Sequence, residues 1–330
     1  MRTYVISAAI AFAAAAAAGL IILPVLRRVK AGQSIRDDGP KWHMTKQGTP
    51  IMGGFIFIIG AAAACVAAGM TTQTQASTIL FIFAFALVFG AIGFLDDYEK
   101  VRRRQNLGLT ALQKLLLQLA VAVAFILLMR LAGNLTPNLY IPFANVSIPL
   151  PEPLYLVVAA FVIVAEVNAV NLTDGVDGLC TGVTIPVCIA FAAIAYVWGA
   201  EYLGIGIFAS ALCGGLAGFL LYNFHPAKIF MGDTGSLFLG GAVCGMAFAL
   251  DMPMILLPLG VIYLIETLSD VIQVVYFKLS HGRRIFKMAP IHHHLEMNGW
   301  SEHKLFFVFT LVSAAFAVIS FLGVYRRFGA

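Results

Sequence analysis

Apolar runs of about 20 residues recur along this chain of 330 residues, the length an α-helix needs to cross the hydrocarbon core of a bilayer. Ten such runs stand out, at roughly 3–25, 51–70, 77–95, 112–131, 154–170, 180–198, 203–221, 235–250, 254–277 and 305–324. They are apolar on every side, whereas a water-soluble helix keeps one polar face. With 61% hydrophobic residues, 11% charged and a mean hydropathy of +0.92, the expected solvent is lipid. The predicted fold class is an all-α polytopic membrane protein with about ten transmembrane helices and one integral-membrane domain over 1–330. The Ala-rich first run lacks a clear small-x-small cleavage site and is read as a mature helix rather than a signal peptide.

Orientation follows from the basic residues. With both termini outside, the inner loops are 26–50, 96–113, 171–179, 222–234 and 278–304. Together with Lys114 at the edge of the fourth run, they hold 17 of the 21 Lys and Arg. The positive-inside rule selects that topology. The net charge of +5 is then a topology signal. No basic module interleaved with aromatics points to nucleic acid. The five cysteines sit in or beside apolar runs without a C-x-x-C, and read as small core residues. Outside, NLYIPF and VSIPL within 132–153 are strand-like, which fits either a small outer β-hairpin or an irregular linker.

Nearly every unusual polar motif falls on the inner side. Asp96 and Asp97 close the third run, Asp174 and Asp177 lie in NAVNLTDGVDGL (168–179), and Asp233 lies in FMGDTGS. Five aspartates on one surface repel each other and any anionic substrate unless a cation neutralises them. Mg²⁺ suits that task, because it takes one or two carboxylates and completes its shell with phosphate oxygens and water. For each Asp alone, a turn or helix end is the competing explanation. Asp233 stands where an N-cap would be, and glycines 232 and 235 permit close backbone approach, as at a phosphate-binding helix N-terminus. KQGTPIMGG supplies Lys46 and Thr49 but has no Walker A spacing. Neighbouring side chains diverge, so His292, His293 and His294 fit hydrogen bonding to phosphate or sugar better than a shared zinc. Glu166, Glu266 and Asp270 lie at membrane depth, where a charge is costly. Glu266, Asp270 and Gln273 suggest a polar stripe lining a cleft, or partners inside the bundle.

Taken in order, LDDYEK, NAVNLTDGVDGL, FMGDTGSLFLG and MAPIHHHLEMNGW resemble the polyprenyl-phosphate N-acetylhexosamine-1-phosphate transferases over almost the whole chain. MAPIHHHLE is the most specific stretch and is similar to the phospho-MurNAc-pentapeptide transferase branch. The resemblance implies transfer of phospho-MurNAc-pentapeptide from UDP-MurNAc-pentapeptide to undecaprenyl phosphate. UMP leaves and lipid I forms, in peptidoglycan synthesis at the cytoplasmic face of the bacterial inner membrane. It implies Mg²⁺ on Asp233, catalytic roles for Asp96, Asp97, Asp233 and His292, and often a homodimer. By motif it places Lys46, Thr49, Lys114, Asn171, Asp174, Asp177, Asn223, Phe230, Gln273 and His293 around the substrates. Asp270 departs from the family pattern, which has an apolar residue there. A sister transferase using UDP-GlcNAc and a cation-coupled transporter are the competing functions. The transporter predicts carboxylates near mid-bilayer and repeats, whereas these aspartates gather at inner helix ends.

Overall fold

The computed structural model describes residues 1–29, 46, 48–71, 76–103, 105, 107–325 and 327. The chain forms α1 (Arg2–Arg28), α2 (Gly54–Thr71), α3 (Ala76–Arg103), α4 (Ala111–Leu131), β1 (Asn138–Ile141), β2 (Val146–Pro149), α5 (Glu152–Thr173) and α6 (Leu179–Trp198). It continues with α7 (Leu203–Asn223), α8 (Gly232–Ala249), α9 (Leu256–Leu259), α10 (Val261–Leu279), α11 (Ile291–Glu296) and α12 (Glu302–Val324). All ten apolar runs are helical, and the outer stretch is an antiparallel hairpin with Asn138 opposite Pro149 and Ile141 opposite Val146.

Among the described residues, seven helices are long and apolar enough to span a bilayer: α1, α3, α4, α5, α6, α7 with the short 3₁₀ turn before it, and α12. The α9–α10 pair would count as an eighth. That pair corrects the expectation of one continuous helix over 254–277, because it bends by 82° at Gly260. Pro258 removes a backbone donor just before the glycine, and such a pair interrupts the hydrogen-bond ladder. α2 is a shorter apolar helix.

Large apolar side chains lie exposed around the bundle, among them Leu80, Leu116, Leu128, Phe161, Leu311 and Leu322. A soluble protein would bury such a surface; in lipid it is the solvated face. The interior is built on α7 and α8, most of whose residues are buried. α3 packs along α8 with almost no gap: a Cβ at Gly93 would collide with the Asp233 carbonyl. This approach brings the polar end of α3 against the start of α8. The last turn of α3 carries Lys100, Arg102 and Arg103, which complement the negative helix end. α4 begins with a capping box in which Thr110 and Gln113 bond reciprocally, fixing where Lys114 emerges.

Candidate active site

The start of α8 depends on a carboxylate from another helix. The Asp97 Oδ2 atom accepts bonds from the Thr234 amide at 2.9 Å and the Thr234 hydroxyl at 2.7 Å, and Oδ1 accepts from the Asp233 amide at 3.2 Å. Asp97 is 1% exposed. A carboxylate so deeply buried needs saturating donors, and the first turn of a helix supplies unpaired N–H groups with a favourable dipole. The local expectation that Asp233 caps α8 is therefore corrected. The cap position is Met231, Asp233 sits inside the first turn, and Asp97 does the capping.

Asp233 is thereby free to face the cleft. Its Oδ2 atom accepts from Lys114 Nζ at 2.8 Å and Lys100 Nζ at 3.0 Å, while Oδ1 accepts from Asn171 Nδ2 at 2.8 Å. The same Asn171 nitrogen lies 2.7 Å from Ser236 Oγ, and the Asn171 oxygen lies 3.4 Å from Lys114 Nζ. Asp96 completes the centre: Oδ2 pairs with Lys100 Nζ at 2.6 Å, and Oδ1 accepts from the Leu109 amide at 2.9 Å. Oxygens of Asp96, Asp97 and Asp233 lie within 4.8 Å of one another. Hard carboxylate oxygens at that spacing match what Mg²⁺ requires. Asp97 is consumed by α8, so Asp96 and Asp233 are the donors that fit such an ion.

A second charged group lies among the loops. Asp177 Oδ1 accepts from Lys46 Nζ at 2.7 Å, and Oδ2 takes the Ala227 amide and His225 Nδ1, each at 2.9 Å. Glu302 Oε2 accepts from Lys46 Nζ at 2.7 Å and from the Asp177 amide at 3.1 Å. Burial opposes charge on Lys46, but Asp177 and Glu302 prevail and raise its pKa. Burial likewise works against the Asp177 carboxylate, yet Lys46 and the hydrogen bonds hold it below its ordinary value. Asp174 feels both groups: burial, then the charges of Asp233, Asp97 and Asp177, push its carboxyl well above the usual range.

The histidine loop reaches the same surface. His292 is 1% exposed and its Nδ1 lies 2.9 Å from Glu266 Oε2 on α10. Its Nε2 has no hydrogen-bond partner and faces Gly175, where any side chain would strike the ring. The glycine in Asp174-Gly175 is thus a close-approach residue for His292. His293 Nδ1 lies 2.8 Å from Glu296 Oε2, and His294 Nδ1 accepts the Lys287 amide.

Other residues named from sequence hold loops. The Gln273 amide binds the backbone of Ile285 and Phe286. Asn223 links Thr181 to the Ile229 carbonyl. Phe230 exchanges backbone bonds with Pro50 and Gly53, next to Thr49, whose amide bonds to the Lys46 carbonyl. Sequence reading missed Lys100, Ser236, His225 and Glu302 as site residues, and named Glu266 without its partner. Lys100 had a local signal, three and four residues after the two aspartates on one helix face. His225 and Glu302 had none, because their approach is purely tertiary.

A multi-pass helical bundle with a carboxylate–lysine centre at its helix ends is the frame in which similarity to known proteins was found. The family model described as glycosyl transferase family 4 matches residues 78–251. A phospho-N-acetylmuramoyl-pentapeptide-transferase of Clostridium acetobutylicum is 43% identical over 326 residues, 98% of this chain and 100% of the relative. One of Listeria monocytogenes serotype 4b is 44% identical over 301 residues, 91% of each chain. One of Carboxydothermus hydrogenoformans is 45% identical over 330 aligned residues, 96% of this chain and 97% of the relative. The chain belongs to glycosyl transferase family 4 and, within it, to the phospho-N-acetylmuramoyl-pentapeptide-transferases.

Proposed function

We propose that this chain transfers phospho-MurNAc-pentapeptide from UDP-MurNAc-pentapeptide to undecaprenyl phosphate, releasing UMP and forming lipid I in peptidoglycan synthesis. Its near-full-length similarity to transferases of that name supports the reaction. The observation that carries the mechanism is the meeting of Asp96, Asp233, Lys100 and Lys114 around one point at the ends of α3, α4 and α8. The bias of basic residues to these loops supports an outer N-terminus and a centre on the cytoplasmic face.

Donor diphosphate and acceptor phosphate are both anionic, so the work is mostly alignment and charge neutralisation. Asp233 and Asp96 would hold Mg²⁺, which when bound supplies Lewis-acid stabilisation of diphosphate oxygens worth several kcal/mol. Lys114 and Lys100 add positive charge on the same side. Asn171, itself bonded to Ser236, fixes the Asp233 carboxylate, and Asp97 fixes the helix start that presents it. His292, with Nδ1 at Glu266, packs its buried Nε2 against Gly175 and so braces the Asp174–Asp177 loop. Asp96 acts by position rather than as a base. One of its oxygens anchors Leu109 and the other pairs with Lys100, and a phosphate monoester is already largely dianionic at neutral pH.

The test is transfer of radiolabel to undecaprenyl phosphate from UDP-MurNAc-pentapeptide and, separately, from UDP-GlcNAc, with and without Mg²⁺. Label should pass only from the muramoyl donor and only with the ion. Transfer from UDP-GlcNAc, or ion-independent turnover, overturns the respective part.

A further inference from the structure

Lys100 occupies an unusual place in the centre. Asp97 spends both oxygens on the start of α8, Asp96 Oδ1 holds Leu109, and Asp233 Oδ1 holds Asn171. Two carboxylate oxygens are left over, Asp96 Oδ2 and Asp233 Oδ2. Lys100 Nζ lies 2.6 Å from the first and 3.0 Å from the second, and 3.7 Å from Asp97 Oδ1. Lys114 touches Asp233 alone of the three. The lysine is also the most solvent-accessible of the group: its side chain is 26% exposed, against 5% for Asp96, 2% for Asp97 and 16% for Asp233. A simple ion pair within α3 would need only Asp96. This ammonium bridges two helices and covers the oxygens that a divalent ion requires.

We propose that Lys100 is a built-in competitor for the divalent ion: it bridges Asp96 and Asp233 in the resting centre and gives up those oxygens when the ion arrives. The proposal rests on the assignment of Asp96 and Asp233 as ion ligands made above. Three carboxylates within 4.8 Å repel one another, and the ammonium keeps them gathered in a geometry ready for the ion. A flexible four-carbon stem with solvent access lets the charge swing outward, toward the oxygens of an incoming diphosphate. Ion binding alone must then displace a favourable charge, whereas ion and diphosphate together give that charge a new partner. The residue would thus couple divalent-ion loading to donor loading, a linkage that is reciprocal.

The test is Mn²⁺ binding by the full-length protein in nanodiscs, read as loss of the free-ion signal in electron paramagnetic resonance without nucleotide. Lys100→Gln should bind Mn²⁺ about tenfold more tightly or better, since it removes a unit charge a few ångströms from the ion. Lys100→Arg keeps the charge and should stay near wild type, which separates competition from general damage. Lys100→Gln affinity within twofold of wild type, or weaker, overturns the proposal. Asp233→Asn should abolish the tight site in both the wild-type and Lys100→Gln backgrounds. If it abolishes binding while Lys100→Gln has no effect, the ligand assignment stands and the competitor role falls. If tight binding survives Asp233→Asn, the ligand assignment falls and takes the proposal with it.

Discussion

The two charged groups of this protein are made of similar residues and built in opposite ways. Around Asp233 the carboxylates stand on helix ends, two oxygens are paired with lysine ammonium groups, and the lysine cover is partly accessible. Around Asp177 the same kind of charge is closed. Both Asp177 oxygens are taken, Glu302 Oε2 has two donors, and the partners come from the loop at Lys46, the turn before α6, the segment after α7 and the start of α12. Open charges on rigid elements suit chemistry, because their bonds can be exchanged for a ligand's. Closed charges between loops act as a staple, because exchanging any bond leaves a buried charge unpaired. The comparison sets Lys46 and Asp177 apart as partners that hold loops together, with every bond spent inside the protein.

If that contrast holds, Asp233→Asn gives the largest functional loss. Turnover should fall by about 10³-fold or more, the scale of losing a main electrostatic contact to the reacting phosphates. The melting temperature should change little, since Lys100 keeps Asp96. Activity and thermal unfolding measured on the same preparation check both halves. A destabilised Asp233→Asn variant would mean that the open group is structural after all.

Asp97→Asn should come next, with a loss of about 10²-fold through displacement of Asp233. Its melting temperature should also fall, because a helix cap is worth about 1 kcal/mol. An unchanged melting temperature would show that α8 does not depend on Asp97.

These two residues also mark what could be read in the sequence. The ten helical runs were legible because apolar length is a local property, while the strand-like stretch at 132–153 left hairpin and irregular linker equally open. The gathering of aspartates was legible only in part: five were expected on one surface, whereas Asp96, Asp97 and Asp233 meet at helix ends and Asp177 joins a separate group with His225 and Glu302. The division of labour among Asp96, Asp97 and Asp233 was not legible. Capping rules look within a few residues and point to Asp233, whereas the donors at α8 are met from α3 across the bundle. The bend at Gly260 was legible only as Pro258 and Gly260 inside an apolar run, a pair that straight helices also tolerate. His225 and Glu302 carried no signal, for nothing local says that either meets Asp177.

The staple predicts a different profile. Asp177→Asn should cost about 2–3 kcal/mol, as expected for hydrogen bonds to a charged group, with Lys46 still paired to Glu302. The Michaelis constant for the nucleotide donor should rise more than turnover falls. The pH dependence has a defined sign. The folded Asp177 value lies below the ordinary carboxylate value of about 4, so its contribution is present above that value. It is lost as pH falls through the lowered folded value. Lys46 is raised, so its contribution is present below its ordinary value of about 10.4 and is lost as pH rises through the folded one. The stability gap between wild type and Asp177→Asn should therefore be constant around neutrality and close only in acid below about pH 4. Thermal unfolding across pH decides it; a gap that already closes well above the ordinary carboxylate range would show that the Asp177 carboxylate is not what holds the staple.

The smallest expected effect belongs to Glu266. This residue is fully buried and its Oε1 atom has no partner, while its Oε2 atom meets His292 Nδ1 at 2.9 Å and the His292 amide at 3.5 Å. Glu266→Gln retains an oxygen that can accept from Nδ1–H and removes only the charge. If Glu266 merely orients the ring, the substitution should lower turnover by no more than about tenfold, the lower end of the range for losing a partner that orients a histidine. Glu266→Ala, which frees the ring, should cost clearly more. If the negative charge itself matters, both substitutions should be equally harmful. Steady-state turnover of the two variants, with Asp233→Asn as the reference for a lost centre, separates orientation from charge. Because His292 Nε2 lies against Gly175 rather than against the Asp233 carboxylate, combining Glu266→Gln with Lys100→Gln should give additive losses. Non-additivity would join the histidine arm to the ion centre and remove the separation between them.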